Sequence, residues 1–537
     1  MDVPADLESR TFDLMVVGGG INGASIARDA ALRGLTVLLV EKADWGWATS
    51  SKSSKLAHGG LRYLEMFEFG LVHEALQDRE RLLRQAPHLV RPLRFLYPLY
   101  PHIVARRTVR TGLWLYDILS RGKSLPNRKY LRRDAALKEA PGLDPKGLAG
   151  AATFYDAQIH QVERLIAEMV WDAKRHGAVC LTRTTVEYLD YKRAEGRTVV
   201  TGAFLGLEDG RHVRVHAKMT VNATGCWVDE VLGPLAEGKP PKVRKTKGAH
   251  VVVPRFLDVA FMVRAKDGRS FFLLPWGAHC VIGTTDTDYV GDPADAVATK
   301  EDVEYLLSSA RPYFPQAPLD RIDFTYAGVR ALVNQEGVTE SNVTRRHIMW
   351  DHAKRDGIDG LWTLQGGKIT TARTLAEECV DRIAREWGQA EMAKTHPTRK
   401  GRYPGGPEEP WDVFRPKAIA EAEKLVPVES AAHLVDTYGA RWRMVVDADR
   451  RPGANHALHL QDPHLPCEVT FAVKEEDVKH LGDFMLRGST LGLASDGNPK
   501  AARAVLDHMA DLMGWGDKRC DEEWARYMQE VEQFRVH

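Results

Sequence analysis

The spacing of apolar residues changes several times along the chain. Residues 13–17 form a strand-length apolar run, and the alanine-rich residues 24–32 follow with helical spacing. A second strand-length run occupies residues 35–40. Because strand, helix and strand follow one another directly, the N-terminal part is predicted to open a parallel α/β domain.

Later segments show two other patterns. Between about residues 247 and 324, strand-length apolar runs alternate with turn residues, which predicts an antiparallel sheet. Residues 370–387 carry apolar positions at helical spacing, and most of the chain beyond residue 411 has a helical pattern. No internal repeat is visible.

Length and composition restrict the class of protein. The chain has 537 residues, of which 44% are hydrophobic and 27% are charged, as expected for a globular protein of two or three domains. The 74 basic residues nearly balance the 73 acidic ones. This balance excludes a strongly basic protein that coats nucleic acid.

The cysteines and the apolar runs indicate in which cellular compartment the protein is expected. The six cysteines lie far apart without a C-x-x-C pair, which argues against a zinc site or a disulfide framework and favours a reducing compartment. Residues 1–10 are polar and acidic, so no signal peptide is expected. No apolar run approaches the roughly 20 residues of a membrane-spanning helix. The sequence therefore predicts a protein that does not span a bilayer but could lie on one.

A glycine-rich turn follows the first predicted strand and carries the first chemical signal. In Gly18-Gly19-Gly20-Ile21-Asn22-Gly23, Gly18 would make the turn, Gly20 would let the backbone approach a pyrophosphate, and Gly23 would allow close helix packing. Glu41 directly follows the second strand, where the acid that binds an adenosine ribose is expected. This order predicts a dinucleotide site, with a purely structural glycine turn as the alternative. An acid at the ribose leaves NAD or FAD as the ligand.

The loop after this acid favours the flavin. Ala48-Thr49-Ser50-Ser51-Lys52-Ser53-Ser54-Lys55 interrupts the βαβ pattern with hydroxyl donors that a permanently held flavin needs. A serine-rich linker is the alternative. The loop leads into His58-Gly59-Gly60-Leu61-Arg62-Tyr63, which ends in a fixed cation and an aromatic ring.

Together these segments resemble the FAD-dependent glycerol-3-phosphate dehydrogenases. The resemblance runs in order over roughly residues 10–385 and, more weakly, into the C-terminal part. Further matching segments are Val221-Asn222-Ala223-Thr224-Gly225, Lys247-Gly248-Ala249-His250, Ile282-Gly283-Thr284-Thr285-Asp286, Tyr326-Ala327-Gly328-Val329-Arg330, Val343-Thr344-Arg345 and Gly366-Gly367-Lys368-Ile369-Thr370. The chain departs from the family pattern at Val162-Glu163, at Ala331 and at Ala372. These departures leave open another polyol phosphate, such as erythritol phosphate, as the substrate.

The resemblance and the patterns together predict an α/β fold with a discontinuous FAD-binding Rossmann-like domain, an antiparallel-sheet substrate domain and a C-terminal helical domain. The predicted ranges are 10–75, 150–245 and 325–390 for the FAD-binding domain, 76–149 and 246–324 for the substrate domain, 391–411 for a linker, and 412–537 for the helical cap.

The resemblance also implies the site residues, and no metal is expected. Residues expected to bind FAD are Gly18, Gly20, Asn22, Gly23, Glu41, Thr49, Ser50, Ser51, Ser54, Leu56, Ala223, Gly225, Gly367, Lys368 and Thr370. Arg330 and Arg345 are expected to bind phosphate and alkoxide, because a planar guanidinium binds oxyanions through two hydrogen bonds. Lys368 and Arg62 would add charge near substrate and flavin, and His250 is the candidate general base.

The electron acceptor is expected to be external, because the sequence has no haem, iron–sulfur or second nicotinamide motif. Basic residues between Arg106 and Arg133 surround Trp114-Leu115-Tyr116-Asp117-Ile118-Leu119, a pattern that suits peripheral binding to an anionic membrane and access to quinone. A solvated basic face with a core-packed aromatic stripe, and oxygen as acceptor, is the alternative. We expect a cytoplasmic enzyme on the inner face of the cytoplasmic membrane. A homodimer and a non-catalytic flavoprotein that senses phosphate esters both remain open.

Overall fold

The computed structural model describes residues 3–100, 106–194, 196–334, 346–456, 458 and 463–537. Two large sheets and a set of C-terminal helices make up this part of the chain. The α/β class predicted from the sequence is confirmed.

The strands of both sheets are numbered in chain order. They are β1 (Thr11–Val17), β2 (Val37–Val40), β3 (Leu56–Ala57), β4 (Val90–Leu99), β5 (Lys129–Arg132), β6 (Gly150–Ile159), β7 (Val179–Leu181), β8 (Thr184–Ala194), β9 (Arg197–Leu207), β10 (His212–Asn222), β11 (Val243–Pro254), β12 (Ala260–Arg264), β13 (Ser270–Trp276), β14 (His279–Gly283), β15 (Thr287–Asp288), β16 (Phe324–Val333), β17 (Ile348–Asp351), β18 (Ile358–Asp359) and β19 (Leu361–Gln365).

The α-helices are numbered in the same way. They are α1 (Ile21–Leu32), α2 (Phe69–Gln85), α3 (Arg106–Leu119), α4 (Arg133–Glu139), α5 (Val162–Arg175), α6 (Val228–Leu232), α7 (Lys300–Ala310), α8 (His352–Asp356), α9 (Ala372–Glu386), α10 (Trp411–Ala422), α11 (Val428–Tyr438), α12 (Trp442–Asp447), α13 (Pro466–Glu475), α14 (Leu481–Asp483), α15 (Pro499–Met513) and α16 (Asp517–Glu532).

The first sheet carries the dinucleotide motif. Its central order is β17-β19-β10-β1-β2-β7, and β1 pairs in parallel with both β2 and β10. The apolar positions of β1 are buried on both faces, as a parallel sheet covered by helices requires. Helix α1 packs against α5 and α9 on one face of this sheet. The carboxyl ends of β1, β2 and β10 therefore meet at one edge, where α/β sheets bind their ligands.

The second sheet has the order β15-β11-β14-β13-β12-β4-β6-β3, with β16 on β11 and β5 on β6. Its pairs are antiparallel except β4 with β12. Strands β11 and β16 pair over ten residues of each, from Val243 opposite Val333 to Val252 opposite Phe324. This long pairing forms the wall that faces the first sheet's ligand edge.

The second sheet includes residues that the sequence assigned to the FAD-binding domain. Strand β6 pairs with β4 along its whole length, and β3 and β16 also belong to this sheet. The predicted range 150–245 therefore begins with a strand of the other sheet, and the range 325–390 does too. The difference arises because these pairings join distant segments, which a local hydrophobic pattern does not reveal.

The predicted linker is also more ordered than its composition indicated. Thr398 and Tyr403 are buried. The side-chain amide of Gln85 donates to the Thr398 carbonyl at 3.0 Å, and Arg399 forms an ion pair with Glu377 of α9. These contacts hold part of the segment 391–411 against α2 and α9.

The C-terminal helices pack on the second sheet. Apolar side chains of α13, α15 and α16 share one hydrophobic core with the second sheet. Buried ion pairs join these helices to the N-terminal half: Arg164 with Glu476, and Arg487 with Asp44 at 2.8 Å. In the part of the chain that the structure describes, no helix has both the length and the apolar character needed to cross a membrane.

Candidate active site between the two sheets

A cavity of about 430 Å³ lies where the ligand edge of the first sheet meets β11, β13 and β16 of the second. Its wall includes the ends of β1 and β2, the loop between Gly46 and Leu56, and the glycine turn before α9. The glycine motif, the hydroxyl-rich loop and the predicted cations Arg62, Arg330 and Lys368 thus share one cavity.

The glycine turn has the geometry that its sequence predicts. Gly18 has φ +105°, and a Cβ there would lie 2.8 Å from the Ala223 carbonyl oxygen, so only glycine fits. Gly23 lies off the cavity wall, and a Cβ there would come within 1.8 Å of the Gly18 carbonyl oxygen. Gly23 therefore serves the packing of α1 on the turn. The Ile21 N–H, at the start of α1, donates to Ser50 Oγ at 3.1 Å.

Glu41 ends β2 beside this turn. Its Oε2 accepts a hydrogen bond from the Gly19 N–H at 2.7 Å, and its Oε1 accepts one from the Ala43 N–H at 2.9 Å. Burial raises the pKa of Glu41, although these two backbone hydrogen bonds oppose the rise. The carboxylate is thereby fixed at the cavity wall, where it can accept hydrogen bonds from a ribose.

Most residues predicted to bind FAD line this cavity. They are Gly18, Gly20, Asn22, Glu41, Thr49, Ser50, Ser54, Leu56, Ala223, Gly225, Gly367, Lys368 and Thr370. Ser51 is an exception, because it lies off the wall and its hydroxyl donates to the Trp47 carbonyl at 2.8 Å. The structure thus places the Ser51 hydroxyl within its own loop and not on the cavity wall.

The residues on the wall fit a bound FAD. Asn22 Oδ1 is buried and has no hydrogen-bond partner among the described residues, so it leaves an acceptor for a ligand. A Cβ at Gly367 would lie 3.2 Å from Asn22 Nδ2, so this glycine keeps the space beside Asn22 open. Together with Glu41 and the start of α1, these groups form a site for a ribose and a pyrophosphate.

The register of β11 and β16 places the two candidate residues His250 and Arg330 on one face. His250 lies opposite Tyr326, and Thr246 lies opposite Arg330. The rings of His250 and Tyr326 stack with centroids 4.6 Å apart. Between them Gly248 lies opposite Gly328, and a Cβ at Gly248 would meet Arg330 Nη2 at 2.2 Å. A glycine at this position leaves room for the guanidinium to lie over the sheet.

Arg330 is held by the loop after β14. Its Nη1 donates to Asp286 Oδ1 at 3.0 Å, and its Nη2 donates to Thr284 Oγ1 at 2.8 Å. The side chain is partly exposed toward the cavity. The two partners fix the plane of the guanidinium, which is the property that makes arginine a selective ligand for oxyanions.

His250 differs from the expected base. Its Nε2 lies 2.8 Å from Ser54 Oγ, and burial, aided by the charges of Arg330 and Lys55, lowers its pKa to about 3. The imidazole is therefore neutral at neutral pH and can accept a proton, but its basicity is far below the value near 6.5 that the sequence suggested. The cause is its position in the strand core beside a guanidinium.

Lys368 and Arg62 complete the cationic part of the wall. Lys368 Nζ lies 3.8 Å from the centre of the Tyr63 ring, so the charge rests on an aromatic face. Arg62 and Tyr63 belong to a short 3₁₀ turn, Leu61–Leu64, that follows the glycine pair. Arg345, the fourth predicted cation, lies outside the described residues.

Sequence reasoning missed other residues of the wall. His58 lines the cavity, and burial lowers its pKa to about 4. Arg269 also lines it, and its Nη1 donates to the Asp286 carbonyl at 3.1 Å. His58 belongs to a segment that was singled out for its glycines and Arg62. Arg269 lies in a segment whose pattern indicated only a strand.

Comparisons with known proteins agree with this geometry. Residues 13–382 match the family described as FAD dependent oxidoreductase, and residues 367–520 match the C-terminal domain of alpha-glycerophosphate oxidase. A glycerol-3-phosphate dehydrogenase from Synechocystis is 34% identical, with 98% of each chain covered. A D-erythritol 1-phosphate dehydrogenase from Brucella abortus is 36% identical over 89% of this chain and 94% of its own.

A solved structure shows the same fold with the cofactor present. The glycerol-3-phosphate dehydrogenase from Bacillus halodurans, complexed with FAD, superposes with a TM-score of 0.77 at 26% identity and covers 98% of this chain and 96% of its own. These matches extend over both sheets and the C-terminal helices. The chain therefore belongs to the FAD-dependent glycerol-3-phosphate dehydrogenase family, and its cofactor is FAD.

Proposed function

We propose that this enzyme oxidises sn-glycerol 3-phosphate to dihydroxyacetone phosphate and passes the electrons to a quinone. The observation that carries the proposal is the placement of Arg330, Lys368 and Arg62 on the wall of the cavity that also holds the dinucleotide motif. Three cations there suit a substrate that brings a phosphate and develops negative charge on a reacting oxygen.

The cationic residues of the cavity wall would have separate roles in this reaction. The FAD held by the wall residues would supply the acceptor for the hydride that leaves carbon 2 of the substrate. Arg330 would bind the phosphate through its planar guanidinium, and Lys368 would stabilise negative charge on the reacting oxygen. Arg62, and Arg345 beyond the described residues, would add to the phosphate site.

The hydroxyl proton would pass to His250 Nε2, the atom that now lies against Ser54 Oγ. A bound phosphate would raise the low pKa of this imidazole, because a nearby negative charge favours the protonated form. His58, the other neutral imidazole on the wall, is the alternative acceptor.

A longer polyol phosphate is the second candidate substrate. The Brucella abortus relative, whose name states D-erythritol 1-phosphate, is about as similar to this chain as the glycerol-3-phosphate relatives are. Of the departures from the family pattern, Ala331 lines the cavity itself, whereas Ala372 is buried in the core of the first sheet. The two substrates differ by one hydroxymethylene unit, which the far end of the cavity has to accommodate.

Helix α3 supports a peripheral membrane location on the inner face of the cytoplasmic membrane. Trp114 and Ile118 are about half exposed, at 51% and 48%, while Leu113 and Tyr116 are buried. The exposed Arg107, Arg110 and Arg121 flank them.

Lys123 and Arg128 are partly neutralised by Asp117, at 2.5 and 2.7 Å. An exposed tryptophan and isoleucine among arginines favour headgroup binding over a core-packed stripe.

Anaerobic rapid mixing tests the substrate assignment. The holoenzyme is mixed with glycerol 3-phosphate, D-erythritol phosphates and unphosphorylated glycerol, and the loss of flavin absorbance is followed. We expect the fastest bleaching with glycerol 3-phosphate and none with glycerol. Faster bleaching by an erythritol phosphate would reassign the substrate, and tight binding without any bleaching would indicate a phosphate-ester sensor. Turnover with a soluble quinone analogue, compared with oxygen, then identifies the acceptor.

A further inference from the structure

Three metal-ligating side chains converge in the helical domain, away from the cavity described above. His433 lies on α11, His464 lies in the segment before α13, and Glu468 lies in the first turn of α13. One ligand atom from each lies within 4.8 Å of the others. None of the three lines the active-site cavity.

The geometry brings these groups to one point. His433 Nε2 lies 2.8 Å from Glu468 Oε1, and the two imidazole rings have centroids 4.2 Å apart with an interplanar angle of 54°. One ring nitrogen of each histidine lies within 4.8 Å of the other and of a Glu468 carboxylate oxygen.

The backbone holds the ligands in place. Glu468 Oε2 accepts a hydrogen bond from the Leu465 N–H at 2.7 Å, which orients its other oxygen toward His433. The His464 carbonyl accepts a hydrogen bond from the Leu458 N–H at 2.9 Å. The first bond caps the N-terminus of α13, and the two together fix the backbone that carries His464 and Glu468.

Burial and charge also suit a cation. Glu468 is 1% exposed and His464 is 8% exposed. The His433 and His464 imidazoles and the Leu465 N–H lie beside the Glu468 carboxylate.

We propose that His433, His464 and Glu468 bind a divalent transition-metal ion of the zinc class. Two imidazole nitrogens and one carboxylate are a known zinc ligand set, with water in the fourth position. With metal–ligand bonds of about 2.0–2.1 Å, tetrahedral ligands lie roughly 3.3–3.5 Å apart, so His433 Nε2 and Glu468 Oε1, now 2.8 Å apart, would separate by roughly half an ångström or slightly more. The ion would tie α11 to the start of α13 and so stabilise the helical domain.

A second cluster in the described chain, formed by Glu377, Asp381 and His396, serves as a contrast. Its carboxylates already form ion pairs with Arg373, Arg399 and Arg33 at 2.5 to 2.7 Å. These guanidinium groups would repel a cation. His396→Ala is therefore a matched control, because it removes a histidine beside two carboxylates without touching the proposed site.

The experiment uses the FAD-loaded full chain. The wild type and the variants His433→Ala, His464→Ala and His396→Ala are treated with EDTA, incubated with excess zinc chloride and passed through gel filtration, and zinc is measured by mass spectrometry. We expect one zinc per chain and a higher melting temperature in the wild type and in His396→Ala. His433→Ala and His464→Ala should bind zinc at least tenfold more weakly and show no thermal shift.

Two results would overturn the proposal. One is a wild type that retains no zinc, and the other is equal retention by all four proteins, which would indicate binding at other surface histidines. If the two site variants do not fold, X-ray absorption of the zinc-loaded wild type decides instead. A spectrum that shows two imidazole ligands around the zinc supports the site, and a spectrum without them contradicts it.

Discussion

The hydroxyl of Tyr116 accepts a hydrogen bond from the Gly59 N–H at 2.9 Å and donates to the Asp156 carboxylate at 2.8 Å. Tyr116 lies on the buried face of α3, and Gly59 lies in the segment that carries His58 and Arg62. Burial raises the pKa of Tyr116 well above its usual value, so the hydroxyl keeps its proton. One side chain thus joins the proposed membrane helix to the wall of the active site.

Tyr116→Phe should weaken this connection while keeping the ring in place. Loss of the hydroxyl removes hydrogen bonds of about 1 kcal/mol each, and the Asp156 carboxylate at 3.2 Å from the Gly59 N–H compensates in part. We expect a small loss of unfolding free energy in urea and a several-fold loss of kcat/KM. Tyr130→Phe, on an exposed tyrosine near α3, is the control. Equal kinetics in both variants would show that Tyr116 has no influence on the active site.

Glu41→Gln should weaken FAD binding. The amide keeps one acceptor but loses the charge, and its NH₂ group would face either the Gly19 or the Ala43 N–H, which both now donate to the carboxylate. Hydrogen bonds to charged groups contribute about 1.5–3 kcal/mol, so we expect FAD affinity to fall roughly tenfold or more. The flavin-to-protein ratio after dialysis measures this. Glu237→Gln, on an exposed side chain, should retain its flavin; similar retention by Glu41→Gln would contradict the ribose assignment.

Acid should destabilise the fold through His250. Because its folded pKa of about 3 lies below the unfolded value near 6.5, the unfolded state binds the proton first. The stabilisation is fully present above pH 6.5 and is lost as the pH falls toward 3. His250→Gln should reduce the slope of unfolding free energy against pH between 6 and 4 by up to about 1.4 kcal/mol per pH unit. Urea titrations test this, with His176→Gln on an exposed histidine as the control; an unchanged slope in His250→Gln would refute it.

The local motifs could be predicted from the sequence, whereas the long-range pairings could not. The turn at Gly18 and the acid at Glu41 depend on residues close in sequence, so strand, helix and strand periods suffice to place them. His250 and Arg330 come together only through the register of β11 and β16, and their identification depended on family resemblance. Strand β6 was assigned to the other domain because its partner β4 lies far away in the sequence.

The sequence also does not reveal the environment of a side chain in the folded protein. His250 was expected to titrate near neutrality, but the burial that lowers its pKa exists only in the folded strand. His433 lies far from His464 and Glu468 in the sequence, so the metal site proposed for these residues rests on a tertiary contact that the residue pattern does not show. Both cases concern chemistry that arises from tertiary proximity.

Helix α3 should bind anionic lipid reversibly. Arg110→Glu with Arg121→Glu reverses two exposed charges, and each basic residue near such a surface contributes about 1 kcal/mol. We expect the wild type to sediment with anionic vesicles at low salt, to leave them at high salt, and to ignore neutral vesicles. The double variant should bind at least tenfold more weakly. A control with Arg382→Glu and Arg385→Glu, two basic residues of α9 with exposed side chains, should bind as the wild type does. Equal sedimentation with neutral and anionic vesicles would exclude the membrane assignment.

Arg330→Lys should damage catalysis although it keeps the positive charge. Lysine cannot reproduce the planar contacts to Asp286 and Thr284 at 3.0 and 2.8 Å, nor two parallel hydrogen bonds to a phosphate. Because such charged hydrogen bonds contribute about 1.5–3 kcal/mol, kcat/KM should fall roughly 10- to 100-fold. Arg321→Lys is the matched control, because Arg321 has a 77% exposed side chain shortly before β16.

Whether Arg330→Lys changes KM or kcat shows which state of the substrate Arg330 binds. If the guanidinium binds phosphate equally in the ground and transition states, KM rises and the rate of flavin bleaching at saturating glycerol 3-phosphate stays the same. If it stabilises charge on the reacting oxygen, that saturating rate falls. Its ion pair with Asp286 favours the first outcome, because a cation already engaged on one side is positioned to hold an anion rather than to respond to developing charge. Single-turnover mixing that finds both parameters normal in Arg330→Lys would place the phosphate site on other residues of the wall.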